Sequence, residues 1–307
     1  MSQAEQCIWC LGGAVWDRKL RLAAPAVQAS SNPVTESSHP GGVARNVAHN
    51  LSLLGLPVAL LSAWGDDAAG ALLRMDCLRL GLDIDAVLTV PDTATGAYTA
   101  VLEPQGDLYL GLAQLDALET LGPHKLLRSL PTRQRAPLQL ADLNLRRDTL
   151  EAWLAESHQG PVVLLAVSEP KMAALPERLD KLDLLIANSG EWWAAGGNTE
   201  LAHRGLRRAL VTQGAQGVRL GEWQDGQWRW HTLPAPHLPH KADVTGAGDA
   251  FAAGVIAALV HRPGQWLEAA RFGQRLSQIC LQSPLSVSPD IHPGLLDALQ
   301  ESPNHEI

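Results

Sequence analysis

The stretch DVTGAGDAFAAG, residues 243–254, sets Gly246, Ala247 and Gly248 directly ahead of a carboxylate, Asp249, and an apolar helical run, FAAGVIAALV. A glycine-rich turn feeding a helix leaves backbone N–H groups without intrahelical acceptors, and the helix dipole adds partial positive charge there. Residues with little or no side chain let an anion lie against those amides. A carboxylate one residue further on would repel an anion that was merely bound. It suits a general base that takes the proton from a hydroxyl as that oxygen attacks a phosphoryl group held by the amides. Taken alone, the string also reads as a tight turn with an Asp capping the helix.

A second element bears on the choice. PGGVARNVAHNLSLLG, residues 40–55, places Gly41 and Gly42 before a helix whose first turn carries Arg45 and Asn46. The glycines would let a ligand approach the backbone, and the Asn46 amide offers both a donor and an acceptor, as sugar hydroxyls require. Asp17 follows the first apolar run and stands where a strand's C-terminal end could present a carboxylate to a ribose diol. A helix cap for Asn46 and a loop-stabilising role for Asp17 are the competing structural readings.

The elements that must position these groups follow from hydrophobic patterning. IWCLGGAV, VALLSAWG, LQLADLNL, VVLLAV, LDLLIAN and LRRALVTQG are nearly continuous in apolar residues, the pattern of strands buried on both faces. Amphipathic stretches alternate with them: ARNVAHNLSLLG, AAGALLRMDCLRLG, RDTLEAWLAESHQG and EPKMAALPERLDKL, several closed by glycine. Strand and helix in alternation predict an α/β fold with a mostly parallel central sheet covered on both faces. Residues 15–40 and 91–112 break the rhythm. AYTAVLEPQGDLYLGL predicts a hairpin turning at PQGD, and these two segments are expected to form a small β lid over the sheet's C-terminal edge. A second hairpin, VRLGEWQDGQWRWHTL, turns at Asp225-Gly226, with Trp223, Trp228 and Trp230 expected to pack on an edge. No repeat or linker divides the chain, so residues 1–307 are expected to form one domain.

Composition narrows the function classes. With 307 residues, 46% hydrophobic and 18% charged, the chain can bury a sizeable core without crosslinks. A net charge of −8 and no Lys/Arg-rich block argue against nucleic acid or a membrane surface as the main partner. No run of about 18 apolar residues and no basic-flanked leader occurs, so a cytoplasmic location is expected. Cys7 and Cys10 form a C-x-x-C inside the apolar run CIWCLGGAV, with no second ligand pair in view, and read as buried thiols.

Two long signatures in order, from Gly41-Gly42 through Asn46, Ala48 and Gly55 to Gly65 and from Asp243 through Gly246-Ala247-Gly248-Asp249 to Ala253-Gly254, resemble those of the PfkB, or ribokinase-like, sugar and nucleoside kinases. The resemblance covers essentially the whole chain and implies a ribokinase-like three-layer sandwich with a β lid. Asn188-Ser189-Gly190-Glu191 resembles the family's N-x-x-E motif, which implies that Asn188 and Glu191 organise Mg²⁺ and the ATP phosphates, Glu191 through water. Thr212, Gly214 and Gly217 match the T-x-G-x-x-G turn that borders ATP. Asp243 and Thr245 match positions that bind a monovalent cation, which would implicate K⁺. Gly65–Gly70 resembles G-x-D-x-x-G and reads as a helix start.

Ser31-Asn32-Pro33 followed by HPGGVARNVAHNL resembles the pseudouridine-kinase branch of that family, as do ADLNL at 141–145 and AVSEPK at 166–171. The resemblance implies transfer of a phosphoryl group from ATP to a nucleoside 5′-hydroxyl. Asp17, Gly41, Gly42 and Asn46 would hold the ribose, Asp249 would act as base, and Gly246, Ala247 and Gly248 would form the anion hole. Thr95 in the lid and Lys171 would face the acceptor, with an exposed lysine at a helix start as the alternative for Lys171. In relatives the lid often builds a dimer interface, which implies a homodimer. The chain departs from the family at Val15, where many relatives carry Asn, and at Leu165, Ala166 and Ala187. These departures bear on acceptor identity; a kinase for another nucleoside or a free sugar, and a silent binding protein on the same fold, stay open.

Overall fold

The computed structural model describes residues 7–128, 136–156, 158–236 and 245–300. Its centre is an eight-stranded sheet in the order β14-β13-β12-β11-β10-β9-β1-β4. The parallel strands are β1 (Ile8–Leu11), β4 (Val58–Leu61), β9 (Gln139–Asp142), β10 (Val162–Leu165), β11 (Leu184–Asn188) and β12 (Arg208–Thr212). β13 (Val218–Gln224) and β14 (Gln227–Leu233) close one edge as an antiparallel hairpin. Each parallel strand alternates between two buried layers: Ile8, Cys10, Val163 and Leu165 face one core, and Trp9, Leu11, Val162 and Leu164 face the other. That is why these strands read as unbroken apolar runs.

One layer is built by α1 (Val43–Leu53), α2 (Ala68–Arg79), α8 (Ala247–His261) and α9 (Trp266–Leu281). The other contains α3 (Asp116–Glu119), α4 (Pro123–Leu127), α5 (Arg147–Ala155), α6 (Ser189–Ala194) and α7 (Gly197–His203). α8 is apolar all round because Ala250–Leu259 are buried between the sheet, α1 and α9. A β-carbon on Gly254 would stand 2.7 Å from the Gly273 Cα, so small residues let α8 and α9 pack backbone to backbone.

The lid is a separate four-stranded sheet, β3-β2-β7-β8. β2 (Val15–Leu22) pairs antiparallel with β3 (Val34–Gly41) and parallel with β7 (Ala97–Leu102), which pairs antiparallel with β8 (Leu108–Gln114). The PQGD turn forms as expected, with the Gly106 N–H donating to the Glu103 carbonyl at 2.9 Å. The tryptophans of the β13–β14 hairpin pack as an edge cluster: Trp228 and Trp230 stack, and Trp192 of α6 meets both edge-on at 5.4 Å. Cys7 and Cys10 are both buried and belong to opposite core layers, so they cannot converge on one site.

Three expectations need correction. VALLSAWG does not form one strand: β4 ends at Leu61, and β5 (Ala63–Gly65) turns away to pair with β6 (Leu88–Val90). IWCLGGAV likewise splits into β1 and the start of the lid strand β2, broken at Gly12-Gly13. EPKMAALPERLDKL is not an α-helix but a short 3₁₀ turn over Glu169–Ala174, since Pro176 cannot continue a helix and disfavours helical backbone before it.

Candidate active site

Parallel strands deliver their C-terminal ends to one edge, where register sets Asp142 beside Leu165 and Asn188 beside Thr212. Asp142 organises the adjacent turn. Its Oδ2 accepts the N–H groups of Gly13 and Ala44, each at 2.9 Å, and its Oδ1 accepts that of Asn144 at 2.9 Å. Burial pushes this carboxyl up, and the three backbone donors oppose the shift. Gly42, at φ +96°, closes the joint: a β-carbon there would lie 2.4 Å from the Gly13 carbonyl oxygen. The start of α1 is thereby locked against the turn after β1.

Onto this frame the fold brings residues distant in sequence. Asn46 is buried on the first turn of α1, and its Nδ2 donates to Asp249 Oδ2 at 2.8 Å. Burial lifts the Asp249 carboxyl to about 7; the charges of Asp142 and Asp17 push the same way, while Asn46 and Arg45 oppose. Asp17, half-buried on β2, is lifted to about 6 by burial against the pull of His39, Lys19 and Arg45. Gly41 makes room for it, since a β-carbon there would overlap the Asp17 carboxyl at 2.0 Å. Gly41 thus stands beside Asp17, Asn46 bonds to Asp249, and Asp17 is near enough for its charge to act on Asp249.

A cleft of about 510 Å³ lies beside the same helix start, lined by Thr212, Gly214, Gly217, Ala247 and Gly248 among others. Gly246 enters α8 at φ +82°, and a β-carbon there would lie 1.9 Å from the Ser286 carbonyl oxygen. At Gly248 a β-carbon would meet nothing within 4 Å, so the backbone there is open to the cleft. Ala247, Gly248 and Phe251 line the cleft, whereas Asp249 bonds to α1. Asn188 and Glu191 form a reciprocal capping box: the Glu191 N–H donates to Asn188 Oδ1 at 2.9 Å, and the Asn188 N–H donates to Glu191 Oε2 at 2.7 Å. Burial pushes the Glu191 carboxyl up, the Asn188 N–H opposes, and the charge of Glu169 adds to the rise.

Other expected residues sit differently. The Thr95 hydroxyl donates to Asp67 Oδ1 at 2.5 Å and accepts the Gly65 N–H at 2.9 Å, clamping the start of α2 to the segment that leads into β7. Lys171 is half-buried on the 3₁₀ turn after β10, which packs against α6 on the Glu191 side. Asn32 of the S-N-P string ties its own loop, accepting from the Val27 N–H at 2.8 Å and donating to the Val27 carbonyl at 2.9 Å. Thr245 Oγ1 accepts from Lys19 of the lid at 3.5 Å, while Asp243 lies outside the described residues. In the sequence Asp142 shows only as an acid ending an apolar strand. Arg45 shows there only as a charge on the first turn of an amphipathic helix.

An open cleft and a buried carboxylate on adjoining faces of one helix start suit phosphoryl transfer to an alcohol, and the class defined here is an ATP-dependent kinase of a sugar or nucleoside. The chain belongs to the pfkB family of carbohydrate kinases, whose model matches residues 8–292. It is 30% identical over 276 residues to the pseudouridine kinase of Escherichia coli, covering 86% of each chain. A carbohydrate kinase from Agrobacterium tumefaciens superposes with a TM-score of 0.79 at 30% identity, over 96% of both chains. Arabidopsis thaliana ribokinase, solved with ribose and ATP, shares the fold with a TM-score of 0.77 at 19% identity, over 97% of this chain and 99% of that one.

Proposed function

We propose that this kinase phosphorylates the 5′-hydroxyl of pseudouridine. The observation that carries the chemistry is the Asp249 carboxylate at the start of α8, 2.8 Å from Asn46 and next to the open backbone of Gly248. The likeness to pseudouridine kinase and the strings around Ser31-Asn32-Pro33 and Gly41-Gly42 support the acceptor. In this reading Asp17, Gly41, Gly42 and Asn46 hold the ribose diol, and Asp249 accepts the 5′-hydroxyl proton as the oxygen attacks. The amides of 246–248 stabilise charge on the transferred group. Thr95 shapes the lid side through Asp67, and Lys171 reaches toward the acceptor from the sheet edge. Thr212, Gly214 and Gly217 border the nucleotide, and the lid closes over the nucleoside and limits ATP hydrolysis.

The residues present suit a hydrated divalent cation. Glu191 and Glu169 bring two carboxylates together beside Asn188, and among the described residues no three acidic, His or Cys side chains converge into a direct cage. Mg²⁺, held by Glu191 and Asn188 through water, would neutralise the ATP phosphates. Thr245, with Asp243, would hold K⁺. The chain would act as one domain in the cytoplasm, with no nucleic-acid or membrane partner. Among the described residues no helix is long and apolar enough to cross a membrane. Leu108, Leu110 and Leu112 are exposed on the outer lid strand β8, where a second copy would complete a homodimer.

The test is ATP-dependent turnover of pseudouridine, uridine, adenosine, inosine, ribose and fructose with Mg²⁺ and K⁺, product read by mass. Preference for pseudouridine is expected. Preference for another acceptor overturns the substrate, and binding without product overturns the proposed chemistry.

A further inference from the structure

The buried amide of Asn46 has two ends, and both are taken. Nδ2 donates to Asp249 Oδ2 at 2.8 Å, and Oδ1 accepts from Arg45 Nη1 at 3.1 Å. Rotating the amide by half a turn would set acceptor against acceptor at Asp249 and donor against donor at Arg45. The guanidinium therefore decides which end faces the carboxylate. Its own position is over-determined: Nη1 also donates to the Pro40 carbonyl at 3.3 Å, and Nη2 pairs with Asp76 of α2. Asp76 in turn accepts from Arg79 at 2.9 Å. Arg45 is only 4% exposed. Asp76 is partly exposed, and its pair with Arg45 ties the guanidinium to α2.

We infer that Arg45, anchored by Asp76, is a positioning residue that fixes the amide of Asn46 with its NH₂ toward Asp249. The inference rests on the reading of Asp249 as the base. An NH₂ donor favours the ionised carboxylate, and Asp249 needs that help because burial, Asp142 and Asp17 all favour its protonated form. The rigid fork of arginine suits the task, since it reaches Asp76, Pro40 and Asn46 together.

The groups facing this chain are few. Around Arg45 stand Asp76, Arg79, His49 and Cys77; around Asp249 stand Asn46, Asp142, Asp17 and Arg45; His39 and Lys19 face Asp17. Burial lowers His49 to about 4 and raises Cys77 to about 11. Burial pushes Asp76 up, but the bonds and charges of Arg79 and Arg45 outweigh it and hold the carboxyl below its ordinary value. The Asp76 carboxylate thus stays ionised where Asp249 titrates, and its pair with Arg45 is kept.

The experiment measures the Asp249 carboxyl titration by ¹³C NMR and the pH profile of kcat/KM in wild type, Asp76→Ala and Arg45→Lys, with thermal melts to verify folding. Removing the Asp76 charge alone would move the Asp249 titration to lower pH; losing the amide's orientation moves it to higher pH. The expected result for both variants is an upward move of at least about half a pH unit, roughly a threefold loss of kcat/KM on the acid side. KM for ATP should stay within about twofold. A downward move in Asp76→Ala, or an unchanged titration in Arg45→Lys, overturns the inference. Arg45→Lys keeps the charge and decides the question if Asp76→Ala does not fold. Asp249→Asn is the separate control. Full activity there overturns Asp249 as base, while the NMR titration still decides whether Arg45 positions Asn46.

Discussion

Asp142 Oδ2 accepts the Ala44 N–H at 2.9 Å although 98 residues separate them in sequence, and the same oxygen accepts Gly13. One carboxylate thus joins the end of β9, the turn after β1 and the start of α1. Asp142→Ala leaves two buried N–H groups and one partly buried one without their acceptor and should lower unfolding stability by about 3 kcal/mol. Urea denaturation checks this, with an unchanged m-value separating lost stability from a changed denatured state.

Asp249 carries two opposite consequences. With its carboxyl at about 7, the proposed base is ionised above that pH, so kcat/KM should fall as pH drops through 7. Asp249→Asn should lower kcat by about 10²- to 10⁴-fold.

The same raised value costs folding stability. In the unfolded chain this carboxyl ionises near its ordinary value, whereas in the folded protein it holds its proton up to about 7, so stability is lost as pH rises between the two. Asp249→Asn should therefore be more stable than wild type by about 2 kcal/mol at pH 8, with no gain at or below pH 4. Thermal melts at the two pH values check the sign.

Asp17 bears on both the proposed acceptor site and the Asp249 carboxyl. Asp17→Asn removes a carboxylate proposed to grip the ribose diol and one of the charges that raise Asp249. Acceptor KM should rise by about tenfold or more, corresponding to about 1.4 kcal/mol. The acid limb of kcat/KM should move to lower pH. A pH series of Michaelis curves separates the two effects.

Gly246 and Gly248 should respond in opposite ways to alanine. At Gly246 the positive φ and the 1.9 Å approach to Ser286 O make a β-carbon destabilising. At Gly248 a β-carbon meets nothing within 4 Å, so Gly248→Ala should fold as well as wild type or better by about 0.5–1 kcal/mol. The added methyl stands at the open amides of the cleft and should raise KM for ATP and lower kcat. Melting temperatures and ATP titrations of both variants give the comparison.

The sequence by itself determined the layered α/β architecture, because strands buried on both faces must be continuously apolar and the glycine-rich helix start at 246–249 is visible as a string. It determined the lid hairpin through period-two alternation around PQGD. It also placed Asp17, Asn46 and Asp249 among the candidates, since each stands beside a turn or helix start where a polar side chain can reach a ligand. Only the tertiary structure decided how these groups act on one another. The 2.8 Å bond from Asn46 to Asp249 spans 203 residues, and no local pattern specifies such a distance. The raised carboxyls of Asp17 and Asp249 come from burial and from neighbours on other elements. The bonds of Thr95 to Asp67, of Asp142 to Ala44 and of Arg45 to Asn46 arise for the same reason. Hydrogen bonding and desolvation depend on which chain segments meet, and that is set by packing of the whole fold.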